Sequence, residues 1–230
     1  MDLKEAEGID PWRHWYYQHK LRATVKMISG QEFQRSRLVD VGAGSGFFAQ
    51  AVGAHFLFDD INCIDTSYTD AHLGEREGVV YARTYKGAPG NVYLLMDVLE
   101  HVDDDVQLLR HYVDEAASGT VFMVTVPAFM SMWSPHDDFL EHRRRYTLSE
   151  IEAVCVSAGL QVRAARYLFA PTFPLVWITR MVRRGREPKS DLRQPGKVSN
   201  HVLLGFSGLE LLARANRCFG TTAAVVGVKP

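Results

Sequence analysis

Three glycines at alternate positions, Gly42, Gly44 and Gly46, break the run Val39-Asp40-Val41-Gly42-Ala43-Gly44-Ser45-Gly46-Phe47-Phe48-Ala49. Glycine has no side chain, so the backbone turns tightly there and a ligand can lie directly against it. The spacing is G-x-G-x-G. Phe47 stands where a dinucleotide fingerprint, G-x-G-x-x-G, needs its third small residue. Asp40, two residues before the first glycine, suits a ligand with a cationic or hydrogen-donating end. Asp65 lies 23 residues after Gly42, where a carboxylate can accept two hydrogen bonds from a ribose diol. Next comes Met96-Asp97-Val98-Leu99-Glu100-His101-Val102. Asp97 is placed to line the ligand, and His101 to face a reaction partner as a general base, since imidazole titrates near neutrality. The alternative for Glu100 and His101 is that they only tie down the start of a helix.

The segment 133–146, Trp-Ser-Pro-His-Asp-Asp-Phe-Leu-Glu-His-Arg-Arg-Arg-Tyr, is rich in groups that bind and ionise. His136 and His142 are the second choices for a base. Trp133, Asp137, Arg144 and Tyr146 are the candidates to bind a reaction partner. No histidine pair at i, i+4 and no cysteine accompanies the carboxylates, so no metal site is expected. Three consecutive arginines can meet a phosphate or carboxylate, or serve as salt-bridged scaffolding. Scaffolding is favoured for most of them. Trp12, Trp15 and Tyr16 share one helix face. That stripe reads either as core packing or as a lid over the ligand.

The elements that must hold these residues alternate. Short apolar runs over 37–41, 61–65, 79–83, 92–97, 120–126, 160–168 and 221–228 read as strands. Helical patterns lie between them, and a helix is expected from Asp10-Pro11 to about Ser29-Gly30. Thr147-Leu148-Ser149-Glu150 is a capping box. This is an α/β, Rossmann-like open sheet, mostly parallel, with helices on both faces. Such sheets bind ligands at the carboxyl ends of their strands, and every residue singled out above falls at such an end. The combination suits S-adenosylmethionine better than NAD. Residues 1–230 read as one domain, with an aromatic helix or lid over 1–36, a long loop over 127–146 and a helical cap over 171–219.

Composition excludes several classes. A net charge of −1 does not advertise nucleic-acid binding. Cys63, Cys155 and Cys218 form no CxxC or zinc pattern. The polar N-terminus lacks the apolar core of a signal peptide, so the expected location is cytoplasmic. Residues 169–197 place apolar aromatics beside a basic cluster, the pattern of a surface that rests on the inner face of a membrane; the alternative is a roof over the pocket.

The chain resembles the class I S-adenosylmethionine-dependent methyltransferases. The resemblance is carried by VDVGAGSGFFA at 39–49, INCID at 61–65, LLMDVLEHVDDD at 94–105 and VFMVTVPA at 121–128. It also resembles a bacterial group of ubiquinone-type and cell-envelope or glycan-modifying methyltransferases, through HWYYQHKLR at 14–22, the loop 126–147 and the tail 199–230. The resemblance implies seven strands with the last antiparallel. It implies that Asp40, Gly42, Ala43, Gly44, Ser45 and Gly46 surround the amino-acid end of the cofactor. Asp65 and Thr66 lie at its ribose, and Asp97 and Val98 beside its methionine moiety, with Tyr16 in the lid. An acidic residue common after strand three is missing, which leaves Thr84 or Tyr85 for the adenine. The expected activity is methyl transfer to a small-molecule or lipid- or glycan-linked acceptor. O-methylation is preferred and N-methylation is the runner-up. A non-methylating enzyme or binding module that keeps the cofactor is a further alternative, and an NAD(P)-linked oxidoreductase is disfavoured by Phe47.

Overall fold

The computed structural model describes residues 9–183, 187, 194–212 and 216–230. Eight strands form one sheet: β1 (Arg37–Val41), β2 (Asp60–Ile64), β3 (Gly74–Arg76), β4 (Val79–Ala82), β5 (Val92–Met96), β6 (Val121–Pro127), β7 (Gln161–Leu168) and β8 (Thr222–Val228). Their order is β3-β4-β2-β1-β5-β6-β8-β7. The run from β4 to β6 is parallel, and β8 lies antiparallel between β6 and β7. The eighth strand was not expected. Gly74–Arg76 is exposed throughout and pairs antiparallel with β4 as a short edge hairpin, so no apolar run marks it.

Alternate strand residues feed opposite faces, as a pleated strand buried on both sides requires. Leu38, Leu94 and Met123 pack with α1 (Trp15–Ile28) and α2 (Phe47–Phe56); Val39, Leu95 and Val124 pack with α3 (Asp105–Glu115) and α5 (Leu148–Ser157). The expected long loop contains a 3-10 turn (Met130–Met132) and α4 (Pro135–Phe139), the latter opened by a capping box at Ser134. Two helices, α6 (Phe173–Arg183) and α7 (Lys197–Gly208), separate β7 from β8.

The first helix starts later than expected. Asp10 caps a preceding turn, accepting from the Trp12 amide at 3.0 Å, and α1 begins at Trp15 with His14 as its N-cap. The start of α1 is tied to α7 and the turn after it. Asn200 on α7 accepts from the Trp15 amide (2.8 Å) and donates to the Arg13 carbonyl (2.7 Å). Glu210, in a 3-10 turn after α7, meets His19 Nε2 at 2.5 Å and accepts from the amides of Phe169 (2.8 Å) and Ala170 (2.7 Å).

Candidate active site

The glycine loop joins β1 to α2. Gly46 opens α2 with a φ of +75°, and a Cβ there would stand 2.8 Å from the Tyr81 hydroxyl; a Cβ on Gly42 would stand 2.6 Å from Val98 Cγ2. Only glycine satisfies both the left-handed backbone and the close approach. Asp65 holds the loop from beneath, accepting from the Gly44 amide (2.9 Å) and from the amide (2.9 Å) and hydroxyl (2.5 Å) of Ser67. Asp40 is almost fully buried and its Oδ1 has no hydrogen-bond partner among the described residues; the same holds for Ser45 Oγ. Burial pushes the Asp40 carboxyl up to about 7. Thr66 and Thr84 are exposed. The Tyr85 hydroxyl donates to the Ala88 carbonyl and its ring packs on the α3 side of the sheet.

Beside this cradle, at the carboxyl ends of β5 and β6, lies a cavity of about 280 Å³. Its walls are Trp15 and Tyr16 from α1, Phe48 from α2, Phe169 after β7, and Val176, Thr179 and Arg180 from α6. The Tyr16 ring stacks on Phe169 at 4.7 Å, and Trp15 meets Phe169 edge-on. Trp15 and Tyr16 are therefore a wall on α1, whereas Trp12 lies in the turn before the helix rather than on its face, its ring against Phe47.

The polar floor consists of Asp97, Glu100, His101, His136, His142 and Arg145. Asp97 sits at the end of β5 with a φ of +59°, a conformation costly for a residue with a Cβ. Its amide donates to the Thr125 carbonyl (2.9 Å), its Oδ1 accepts from the Thr125 hydroxyl (3.1 Å), and Lys20 from α1 pairs with its Oδ2. Burial alone would lower the Lys20 pKa, but Asp97 outweighs it and the net shift is upward; burial would raise Asp97, and Lys20 holds it down instead. Glu100 is fully buried, and neither carboxylate oxygen has a partner among the described residues. Burial, then Asp97, pushes its pKa well above the usual carboxylate range. Ligating atoms of Glu100, His101 and His142 lie within 4.8 Å of one another, and the two imidazole rings meet edge to face at 4.9 Å.

Asp137 lies under this floor with no solvent exposure. Its carboxylate meets His142 Nδ1 (2.9 Å), accepts from Arg145 Nε (2.7 Å) and the Ser134 amide (2.9 Å), and has Arg180 Nη1 at 3.5 Å. Burial would raise its pKa, but these donors and cations hold it far below the carboxylate range.

Of the residues expected at the site, Asp97, His101, His136, His142 and Tyr16 line the cavity. Others stand outside its walls. Trp133 donates to Asp138 (3.0 Å). Arg144 holds Asp105 (3.2 Å) and the Asp103 carbonyl (2.8 Å), and the Tyr146 hydroxyl donates to Asp105 (2.7 Å). Arg143 pairs with Asp103. Lys20, Glu100, Arg145 and Arg180 were not singled out for the site. The one signal for Lys20 is its place four residues after Tyr16, on the same helix face.

The family model described as "Methyltransferase domain" matches residues 12–165. No curated protein matches the sequence. Among solved structures, a methyltransferase in complex with the Trm112 methyltransferase activator of Haloferax volcanii is 15% identical, with a TM-score of 0.60 over 95% of this chain and 91% of that one. An S-adenosylmethionine-dependent methyltransferase of Mesorhizobium loti is 15% identical, with a TM-score of 0.58 over 96% and 100%. Phosphoethanolamine N-methyltransferase 2 of Haemonchus contortus, in complex with S-adenosylmethionine, is 17% identical, with a TM-score of 0.56 over 92% of this chain and 52% of that one. At these identities the structures speak for the fold, and the family model, spanning most of the chain, places the chain in the methyltransferase-domain family as a class I S-adenosylmethionine-dependent methyltransferase.

Proposed function

We propose that this enzyme methylates a hydroxyl of an amphipathic, lipid- or glycan-linked acceptor that enters the cavity beneath α6. The observation that carries the reading is the cavity itself: an aromatic and apolar chamber with three histidines on its floor, directly beside the glycine cradle. The cradle fits S-adenosylmethionine. The partnerless Asp40 Oδ1 suits its ammonium group, and at Gly42 and Gly46 the backbone is too closely packed for a side chain. When bound, the cofactor supplies a methyl group made electrophilic by a sulfonium. In this reading Asp40, Ala43 and Ser45 hold the amino-acid end, and Asp65 and Thr66 the ribose. Asp97 and Val98 separate cofactor from acceptor. Trp15, Tyr16 and Phe169 orient the acceptor and exclude water, and a floor histidine takes its proton.

The outer side of α6 supports an amphipathic acceptor. Val176, Thr179 and Arg180 face the cavity, whereas Leu175, Ile178 and Val182 are exposed on the other side. On α7, Val198, Val202 and Phe206 are exposed at helical spacing. The sequence from Arg180 to Lys197 carries seven basic residues against two acidic ones. Most of these, Arg184, Arg186, Lys189 and Arg193 among them, lie outside the described residues. Among the described residues no helix is long and apolar enough to cross a membrane, so the contact proposed is with the bilayer surface.

N-methylation is a second reading, favoured by one observation: a buried carboxyl without partners, Glu100, suits an ammonium on the acceptor. The deciding experiment incubates purified protein and methyl-labelled cofactor with separated membrane and soluble fractions of a cell extract. Label in a lipid or glycan, on oxygen, supports the first reading. Label on nitrogen supports the second, and label confined to small soluble compounds removes the amphipathic acceptor.

A further inference from the structure

Asp137 and His142 are joined at 2.9 Å beneath the cavity, five residues apart in sequence across the end of α4. The position of Asp137 is fixed from four sides. The Ser134 amide caps it, the Arg145 guanidinium is paired to it, Arg180 reaches it from α6, and His142 closes the set. A carboxylate so surrounded stays ionised and can only accept hydrogen bonds. His142 Nδ1 must then carry the hydrogen of the pair. In the neutral ring that leaves Nε2 with its lone pair. The His142 side chain is 6% exposed and lines the cavity floor, where one of its ring nitrogens lies within 4.8 Å of a Glu100 carboxylate oxygen and a His101 ring nitrogen.

We propose that His142 is the group that takes the acceptor's proton and that Asp137 is its positioning residue, fixing the ring and its tautomer. This rests on the reading of the cavity as the acceptor site. The balance is simple. The acceptor's O–H bond gives its hydrogen to His142 Nε2 as a proton, the oxygen keeps the electron pair and bonds to the methyl group, and the imidazolium formed lies against ionised Asp137. Polar atoms of Glu100, His101 and His142 within 4.8 Å of one another leave a hydroxyl that enters between them within reach of the His142 ring. His101 faces His142 ring to ring, at 4.9 Å between ring centres.

The test reads the ring directly. Nitrogen NMR of the histidine side chains, with His142→Gln to assign the signal, is recorded on the full chain at neutral pH. The expected result is a hydrogen on Nδ1 and a bare Nε2. Asp137→Asn, whose amide can donate to Nδ1, is expected to move the hydrogen to Nε2. The same variant is expected to lose transfer of labelled methyl to the extract acceptor by about 10²-fold or more, with affinity for S-adenosylhomocysteine within twofold of wild type. A hydrogen on Nε2 in the wild type overturns the proposal, and so does full transfer by Asp137→Asn. A divalent ion retained in equal amount by the purified protein, with the Nε2 signal shifted by it, also overturns it, since that nitrogen would be a ligand rather than a base. If Asp137→Asn does not fold, the wild-type spectrum alone still decides. Failure of the wild type to bind S-adenosylhomocysteine refutes the reading of the cradle instead and leaves the ring result standing.

Discussion

Lys20 on the first helix, with no solvent exposure, is ion-paired to Asp97 at the carboxyl end of β5, and Asp97 keeps about a third of its side-chain surface open to the cavity. The pair joins the aromatic wall of the cavity to the end of β5. Its two halves are unequal. Losing Asp97 strands a fully buried ammonium, whereas losing Lys20 leaves a carboxylate that still sees the cavity. Asp97→Asn is therefore expected to destabilise by about 3 kcal/mol and Lys20→Met by about 2 kcal/mol, read by urea unfolding. The double variant should recover part of the loss. The lowered Asp97 pKa makes the pair's contribution present above the ordinary carboxylate range and lost as pH falls below it. The raised Lys20 pKa keeps it present until pH passes the ordinary lysine value.

Asp40 predicts a pH dependence of cofactor binding. Burial pushes its carboxyl up to about 7, against the opposing pull of the Ala49 amide. A cationic ligand prefers the ionised form, so below pH 7 a proton must leave for the ligand to bind. Affinity for S-adenosylmethionine should rise about tenfold per unit from pH 5 to 7 and then level off. Asp40→Asn should bind more weakly and show a flat profile. Calorimetric titration across that range checks both.

Gly46→Ala should be costly twice over. The left-handed backbone penalises a Cβ, and the Cβ would press on the Tyr81 hydroxyl at 2.8 Å. A loss of about 1–3 kcal/mol of stability is expected, with cofactor affinity falling in parallel. A melting curve unchanged from wild type would show that the loop has room to yield.

The outer faces of α6 and α7 predict sedimentation with anionic vesicles at low salt and less at high salt, each exposed basic residue adding about 1 kcal/mol near the surface. The double change Leu175→Glu, Ile178→Glu should abolish it. Both positions are more than half exposed, so the fold should tolerate the change. Absence of binding at either salt would leave α6 as a roof alone.

The strands were legible because β1, β5 and β6 are apolar runs buried on both faces, and the glycine loop because its spacing is local. The hairpin at Gly74–Arg76 was invisible because exposed residues carry no apolar period. Asp10 looked like the cap of the first helix because capping chemistry does not say whether a turn or a helix follows. The site was half legible. His101 and His142 could each be named, but 41 residues separate them in the chain and only the fold sets their rings 4.9 Å apart. Glu100 was read only as a tie at a helix start, because a buried, partnerless carboxyl is a property of its surroundings. The scaffolding role favoured for most of the arginines agrees with the ion pairs of Arg143, Arg144 and Arg145.

The clasp of Glu210 on His19 and on the amides of Phe169 and Ala170 spans 191 residues of sequence. The glycine cradle draws on elements no later than β5 and the residues just after it, whereas the aromatic wall of α1 is also braced by Glu210, far later in the chain, through His19 and the backbone beside Phe169. A change that removes only Glu210 should therefore loosen the wall while leaving the cradle's own contacts in place, so the two halves of the site can fail independently.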